Sequence, residues 1–200
     1  MSDELNGEGV VEMAELIMAV SDYKNEEEQK WERGIDIIAS PKESDDKILM
    51  RVITKPNSKS GVIGTTAVRE MSEELEREGY DKGFIIGKRF TKDARELMSK
   101  EGIGMASKKI RPSFKPQRLY VTIHDYINHL CRAKCGRVPK EESDCKGYSD
   151  SYYSCKIRLI SDNAQLHFER GWTNLLQNDL KQLLAIDKSS GNQHNGKRAQ

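Results

Sequence analysis

Between residues 34 and 105 the chain alternates short apolar runs with amphipathic stretches of helical period, and that alternation restricts it to an α/β layer arrangement. Gly34-Ile35-Asp36-Ile37-Ile38-Ala39 reads as a short buried strand. A turn over Pro41 to Asp46 leads to Lys47–Lys55, KILMRVITK, a second strand rich in β-branched and long apolar residues. Pro56 to Gly61 ends it with turn chemistry. Thr65 or Thr66 can cap a helix to about Glu78, with Ala67, Met71 and Leu75 stacked on one face and Glu70 among the flanking charges. Gly83-Phe84-Ile85-Ile86 forms a third strand. Thr91 stands at the N-cap position of a helix over Lys92 to Lys100, whose stripe runs through Ala94 and Leu97. A fourth strand begins at Gly102-Ile103-Gly104-Met105. Upstream, Val10, Met13, Ile17 and Met18 fall near helical spacing over residues 10–20, with Glu12 and Glu15 on the other side, and a polar stretch from Ser21 to Glu32 follows.

The remainder reads differently. Ser107 to Gln117 is a basic loop holding two prolines. Leu119-Tyr120-Val121-Thr122-Ile123 looks strand-like and leads into a short helix to about Arg132. Ser161 and Asp162 precede a long helical pattern carrying Leu166, Phe168, Trp172, Leu175, Leu176, Leu180, Leu183 and Leu184 on one broad side, with Gly171 a mild break. Phe168 and Trp172 are expected in the core of that helix rather than in a ligand site. Residues 187–200 have almost nothing to bury and are expected to be disordered. The expected organisation is a domain over 1–123, a Cys-containing helical module over 124–186, and a tail over 187–200.

Composition narrows the class. The chain is 32% charged, with a mean hydropathy of −0.74. Its apolar runs are only a few residues long, which excludes a membrane-spanning helix. The acidic start, MSDELNGEGVVEMAEL, does not read as a secretory signal, so a cytoplasmic location is expected, or a nuclear one in a eukaryote. The net charge of +1 hides an asymmetry. Residues 1–50 hold fourteen acids and five bases, a net −9, whereas residues 81–118 hold eleven bases and four acids, a net +7. Such division marks either a surface for polyanions or solvated helix faces.

Two clusters stand out. Lys108, Lys109, Arg111, Lys115 and Arg118 are interleaved with Phe114 and Tyr120. Cations neutralise phosphates and release counterions, while an aromatic ring stacks on an unpaired base, so this loop is a candidate nucleic-acid surface. An exposed connector between domains would look the same. Cys131, Cys135, Cys145 and Cys155 are the only cysteines. Four thiolates can close a tetrahedral Zn²⁺ shell in a segment too polar to fold by burial, and His124 or His129 could replace one ligand. Free or redox-active thiols, a disulfide and an iron–sulfur cluster are the alternatives.

Taken in order, Gly34-Ile35-Asp36, Ala67-Val68-Arg69-Glu70, Phe84-Ile85-Ile86 and Phe90-Thr91-Lys92-Asp93-Ala94-Arg95-Glu96-Leu97 resemble the Mrr-like branch of the PD-(D/E)xK nuclease superfamily over residues 9–107. The resemblance implies a restriction-endonuclease-like mixed central sheet flanked by helices. It also implies Mg²⁺-assisted phosphodiester hydrolysis, with an Asp and a second carboxylate or amide holding the metal and a Lys positioning water. Asp36 matches the first acid. Ile48-Leu49-Met50-Arg51-Val52-Ile53, aligned with the family's second strand, puts Arg51 at the Glu/Gln position and Ile53 at the Lys position. Arginine cannot ligate Mg²⁺ and isoleucine cannot activate water.

A migrated site would use Lys55, which shares strand parity with Arg51, and an acid from Glu70, Glu12 or Glu15. The alternative is that Lys55 begins a turn and the glutamates are solvated. Three functions follow: nucleic-acid binding, DNA above all, on a nuclease-like scaffold of doubtful activity; a Mg²⁺-dependent endodeoxyribonuclease with displaced residues; or an interaction module that docks a protein through its acidic half. Self-association is compatible with each.

Overall fold

The computed structural model describes residues 4–58, 60–107, 110, 113–136 and 155–191. The chain forms two compact units, Met1–Ser113 and Phe114–Gln200. The first holds α1 (Glu4–Ser21), β1 (Tyr23–Trp31), β2 (Gly34–Pro41), β3 (Ile48–Ile53), α2 (Thr65–Glu78), β4 (Lys82–Gly87), α3 (Lys92–Lys100) and β5 (Gly104–Ser107). The second holds α4 (Pro116–Cys135), α5 (Lys156–Glu169) and α6 (Thr173–Gly191). The expected domain boundary at residue 123 therefore falls inside α4.

The sheet of the first unit is mixed, in the order β1-β2-β3-β4-β5. β1, β2 and β3 are antiparallel neighbours, and β3, β4 and β5 are parallel. β3 is central and buried along its whole length. Strand alternation sends its side chains to two faces. Leu49 and Ile53 join Ile85, Val68, Met71, Ala94 and Met98 in the core beneath α2 and α3. Ile48, Met50 and Val52 point the other way, the side on which α1 packs with Ala14, Ile17 and Val20 buried. A strand buried on both faces reads as a continuous apolar run, which is why ILMRVI shows no polar alternation apart from Arg51.

The cross-strand register places Asp36 opposite Arg51, Ile38 opposite Leu49, and Gly34 opposite Ile53. Gly34 is required there by close approach, because a β-carbon would lie 1.9 Å from the Val52 carbonyl oxygen. The polar stretch from Ser21 to Glu32 is mostly strand β1, on the edge of the sheet. Its residues from Lys24 to Lys30 are exposed, so no buried face imposes the two-residue period that would have revealed it. The caps follow sequence logic. The Thr91 hydroxyl accepts a hydrogen bond from the Ala94 N–H at 3.1 Å, and Gly79 closes α2 at φ 70°.

Among the described residues, the second unit holds three helices that pack pairwise. Four expectations change here. Leu119–Ile123 is the beginning of α4, not a strand. Pro116 occupies the first turn, and Leu119, Thr122, Ile123 and Leu130 form a buried stripe of helical spacing that outweighs the β-branched composition. The long C-terminal helix is two helices: α5 starts before Ser161, and Gly171 at φ 67° turns the chain between α5 and α6. Trp172 lies in that turn and is 48% exposed, not core, while the half-buried Phe168 stacks on Tyr120 with ring centroids 4.3 Å apart. Helix α6 also carries Asp187 to Gly191, the first residues of the expected tail; residues 192–200 lie outside the described residues. Among the described residues no helix is long and apolar enough to cross a membrane.

One polar contact pins α5 to α6. His167 Nδ1 and Asp179 Oδ2 are 2.6 Å apart, and Asp179 is only 3% exposed. Burial pushes the Asp179 carboxyl up from the ordinary aspartate range, and the hydrogen bond and charge of His167 draw it down only in part. Truncating His167 strands a buried acid. His167→Ala is expected to cost about 2–4 kcal/mol in urea-denaturation experiments. Adding Asp179→Asn should recover part of the loss, whereas a single-variant effect below about 0.5 kcal/mol would show that the contact holds nothing.

Candidate functional site

The side chain of Arg51 rises from the middle of the central strand on the α2 side of the sheet, where its neighbours Leu49 and Ile53 are core residues. Such a charge is tolerated only if paired and hydrogen-bonded. Asp36 lies directly across on β2 and supplies that pairing. Arg51 Nε donates to Asp36 Oδ1 at 3.0 Å, and Nη2 donates to Oδ2 at 2.6 Å, a bidentate fork. The same Nη2 reaches Glu74 Oε2 on α2 at 2.5 Å. Side-chain exposure is 9% for Arg51, 13% for Asp36 and 25% for Glu74. Burial opposes the charge on Arg51, but the hydrogen bonds and charges of Asp36 and Glu74 outweigh it and raise the guanidinium above its ordinary range. The cation is permanent.

A second ring of contacts surrounds this triad. The Trp31 ring, at the end of β1, has the Arg33 guanidinium carbon 4.8 Å and the Arg51 guanidinium carbon 5.4 Å from its centroid. Arg33 in turn pairs with Glu70 at 3.3 Å. The two acids one turn apart on α2 thus serve two different arginines.

The residues expected to form a migrated catalytic site are either held by other partners or set on exposed surface. Asp36 is present, but both of its oxygens are taken by Arg51. Lys55 lies past the end of β3 and is exposed; β3 stops at Ile53, where its face-alternation rule stops too. Glu70 belongs to Arg33. On α1, Glu12 is exposed and Glu15 half-buried. Ile53, where a lysine is expected, is 3% exposed in the core. Glu74, Trp31 and Arg33 were not singled out by sequence reasoning. The signal for Glu74 was its place one helical turn after Glu70 on the same flank; Trp31 was hidden in a stretch read only as polar.

Mg²⁺ does not fit these residues. A divalent cation between Asp36 and Glu74 would meet a guanidinium already seated there, and like charges at contact distance repel strongly in a partly buried site. The triad ties β2, β3 and α2 together.

The other expected sites are only partly described. Lys108, Lys109 and Arg111 lie outside the described residues. Lys115 is the N-cap of α4, and Arg118 is exposed in its first turn. Tyr120 is already engaged: its ring stacks on Phe168, its hydroxyl bonds Gln165, and His124 meets it edge-on. A base would have to displace these partners. Cys131 and Cys135 are one turn apart on α4, both half-buried, and Cys155 is buried at the N-cap of α5; Cys145 lies outside the described residues. His129 faces Asp187 at 3.5 Å. Among the described residues, no three His, Cys, Asp or Glu side chains gather to hold a metal.

The triad makes a sharp stability prediction. Arg51→Met leaves two partly buried carboxylates facing one another and is expected to cost about 3–5 kcal/mol by chemical denaturation. Arg51→Lys keeps the charge but loses the fork, with an expected cost of about 1–3 kcal/mol. Adding Asp36→Asn to Arg51→Met should restore stability, a pattern that simple loss of packing would not give.

Residues 11–107, just under half of the chain, match the family described as NACHT-associated inactive Restriction Endonuclease 1. None of the curated proteins matches. Among solved structures, that of EndoMS in its apo form is similar at 21% identity with a TM-score of 0.36, over 52% of this chain. The match spans about half, 47%, of the EndoMS chain. The first unit, with its mixed five-stranded sheet and flanking helices, is restriction-endonuclease-like in fold and similar in sequence to the inactive family.

Proposed function

We propose that this protein binds nucleic acid, DNA in the first instance, on a restriction-endonuclease-like scaffold that has given up phosphodiester hydrolysis. One observation carries the reading: the Arg51 guanidinium lies between Asp36 and Glu74, a tethered cation where a metal-dependent nuclease needs a removable one. The buried Ile53 in place of a lysine supports it, because it removes the residue that would position water. The inactivity named in the description of the matching family points the same way, and its NACHT association suggests that this unit serves a larger assembly. The order of the sequence motifs favours the Mrr-like branch within the superfamily. Nucleic-acid binding draws its support from the net +7 of residues 81–118, through Lys115, Arg118 and the basic residues Lys108, Lys109 and Arg111 that precede them in sequence.

The deciding experiment incubates the purified chain with supercoiled plasmid and Mg²⁺ or Mn²⁺. The plasmid is expected to stay intact, and Asp36→Ala to change nothing; nicking that disappears in Asp36→Ala would establish an active site and end this reading. Zinc held by Cys131, Cys135, Cys145 and Cys155 is part of the same proposal for the second unit. It requires about one metal atom per chain by elemental analysis. Protein that retains its helical signal without metal would remove zinc from the account.

A further inference from the structure

The fold assembles a positive surface that the sequence scatters over two loops. β3 and β4 are parallel neighbours, and Ile53 is in register with Gly87. The chain therefore leaves both strands at the same end of the sheet, about 4.8 Å apart. Lys55 follows β3 by two residues; Lys88 and Arg89 follow β4 directly. The two loops are stitched together. The Ile63 N–H donates to the Arg89 carbonyl at 2.9 Å, and the Thr91 N–H donates to the Ile63 carbonyl at 2.9 Å. Arg89 Nη2 reaches the Ser60 carbonyl at 3.2 Å. The hairpin between β1 and β2 is fastened to the same end, because the Arg33 carbonyl accepts the N–H groups of Thr54 and Lys55, each at 3.0 Å.

The charge of this rim has one sign. No acid occurs from Thr54 to Thr66 or from Gly87 to Lys92. Lys55 and Arg89 are exposed and Lys88 is half-buried. Among the described residues, neither Lys55 nor Lys88 forms an ion pair. Acids at the margins are few or engaged: Glu32 is exposed at the hairpin tip, Asp93 opens α3, Glu70 pairs with Arg33, and Glu96 pairs with Lys92 at 3.5 Å. Cations held together without counter-charges on a bonded loop frame attract polyanions and lose little backbone freedom on binding.

We propose that Lys55, Lys88 and Arg89 contact successive phosphates of a nucleic-acid strand laid across this end of the sheet. The inference rests on the nucleic-acid reading above and gives it a location. It also gives Lys55 an electrostatic task in place of the catalytic one suggested by its strand parity. An extended phosphodiester suits the surface better than a single phosphate, since the cations stand on separate loops along an exposed rim.

The test is fluorescence anisotropy of a labelled DNA duplex with the full chain and with Lys55→Glu/Lys88→Glu, over about 50 to 200 mM KCl. Both substitutions alter exposed or half-buried side chains that make no ion pair; Arg89 is left in place because it holds the Ser60 loop. Affinity at the lowest salt should fall about tenfold or more, and the slope of log K against log salt should lose about one unit per contact removed. Lys55→Gln/Lys88→Gln, with circular dichroism to verify folding, should give a smaller loss in the same direction. If the wild type binds and both variants bind within about twofold of it with an unchanged slope, the rim is wrong while nucleic-acid binding stands, and Lys115→Glu/Arg118→Glu then locates it. No binding by the wild type at low salt overturns both.

Discussion

The ion pair between Asp36 and Arg51 is the constraint around which the first unit is arranged. It lies in the middle of two adjacent strands, in direct cross-strand register, with core residues before and after it. Removing two charges from water costs several kcal/mol per ion, and only near-ideal geometry offsets that. Here the fork of two parallel bonds supplies the geometry, and Glu74 accepts a further bond from Nη2. A one-residue slip of β2 against β3 would place each charge against apolar partners, so the pair fixes the register as firmly as the hydrophobic pattern does.

The same interaction accounts for the character of the site. A metal ion at such a position comes and goes, and its charge is available to a substrate. A guanidinium on a central strand has neither freedom. The scaffold keeps its shape because the tethered cation does the holding, and on the proposed reading the same cation stands where a metal would. Trp31 and Arg33 reinforce this by covering the arginine with an aromatic face and a second ion pair.

Much of the first unit could be read from the residues. The apolar run within KILMRVITK indicated the central strand, and the stripe of Ala67, Met71 and Leu75 indicated α2 with its flanking acids. The family resemblance set Arg51 at the second metal-ligand position, the counterpart of Asp36. What sequence could not supply was depth and partnership: nothing in the spelling of Glu70 and Glu74 says which of them reaches the sheet, and β1 lacked a buried face to give it a period. The second unit was harder to read. Val121, Thr122 and Ile123 carry strand-like composition, and only Pro116 and the spacing of Leu119, Ile123 and Leu130 indicate a helix. Gly171 looked like a flaw in one helix because its positive φ cannot be inferred from a single letter.

The exposed edge strand has a consequence of its own. An unpaired strand edge is an open template, and copies of a protein at high concentration can add to it one after another. β1 presents three successive glutamates, Glu26, Glu27 and Glu28, interrupts its ladder with an irregularity between Asn25 and Glu27, and offers no apolar row on either side from Lys24 to Lys30. Two such ribbons approaching one another meet mutual repulsion within roughly 8 Å at physiological ionic strength, before their backbones can pair. The acidity of this segment thus acts as a colloidal safeguard, keeping a half-open sheet from becoming the seed of a fibre.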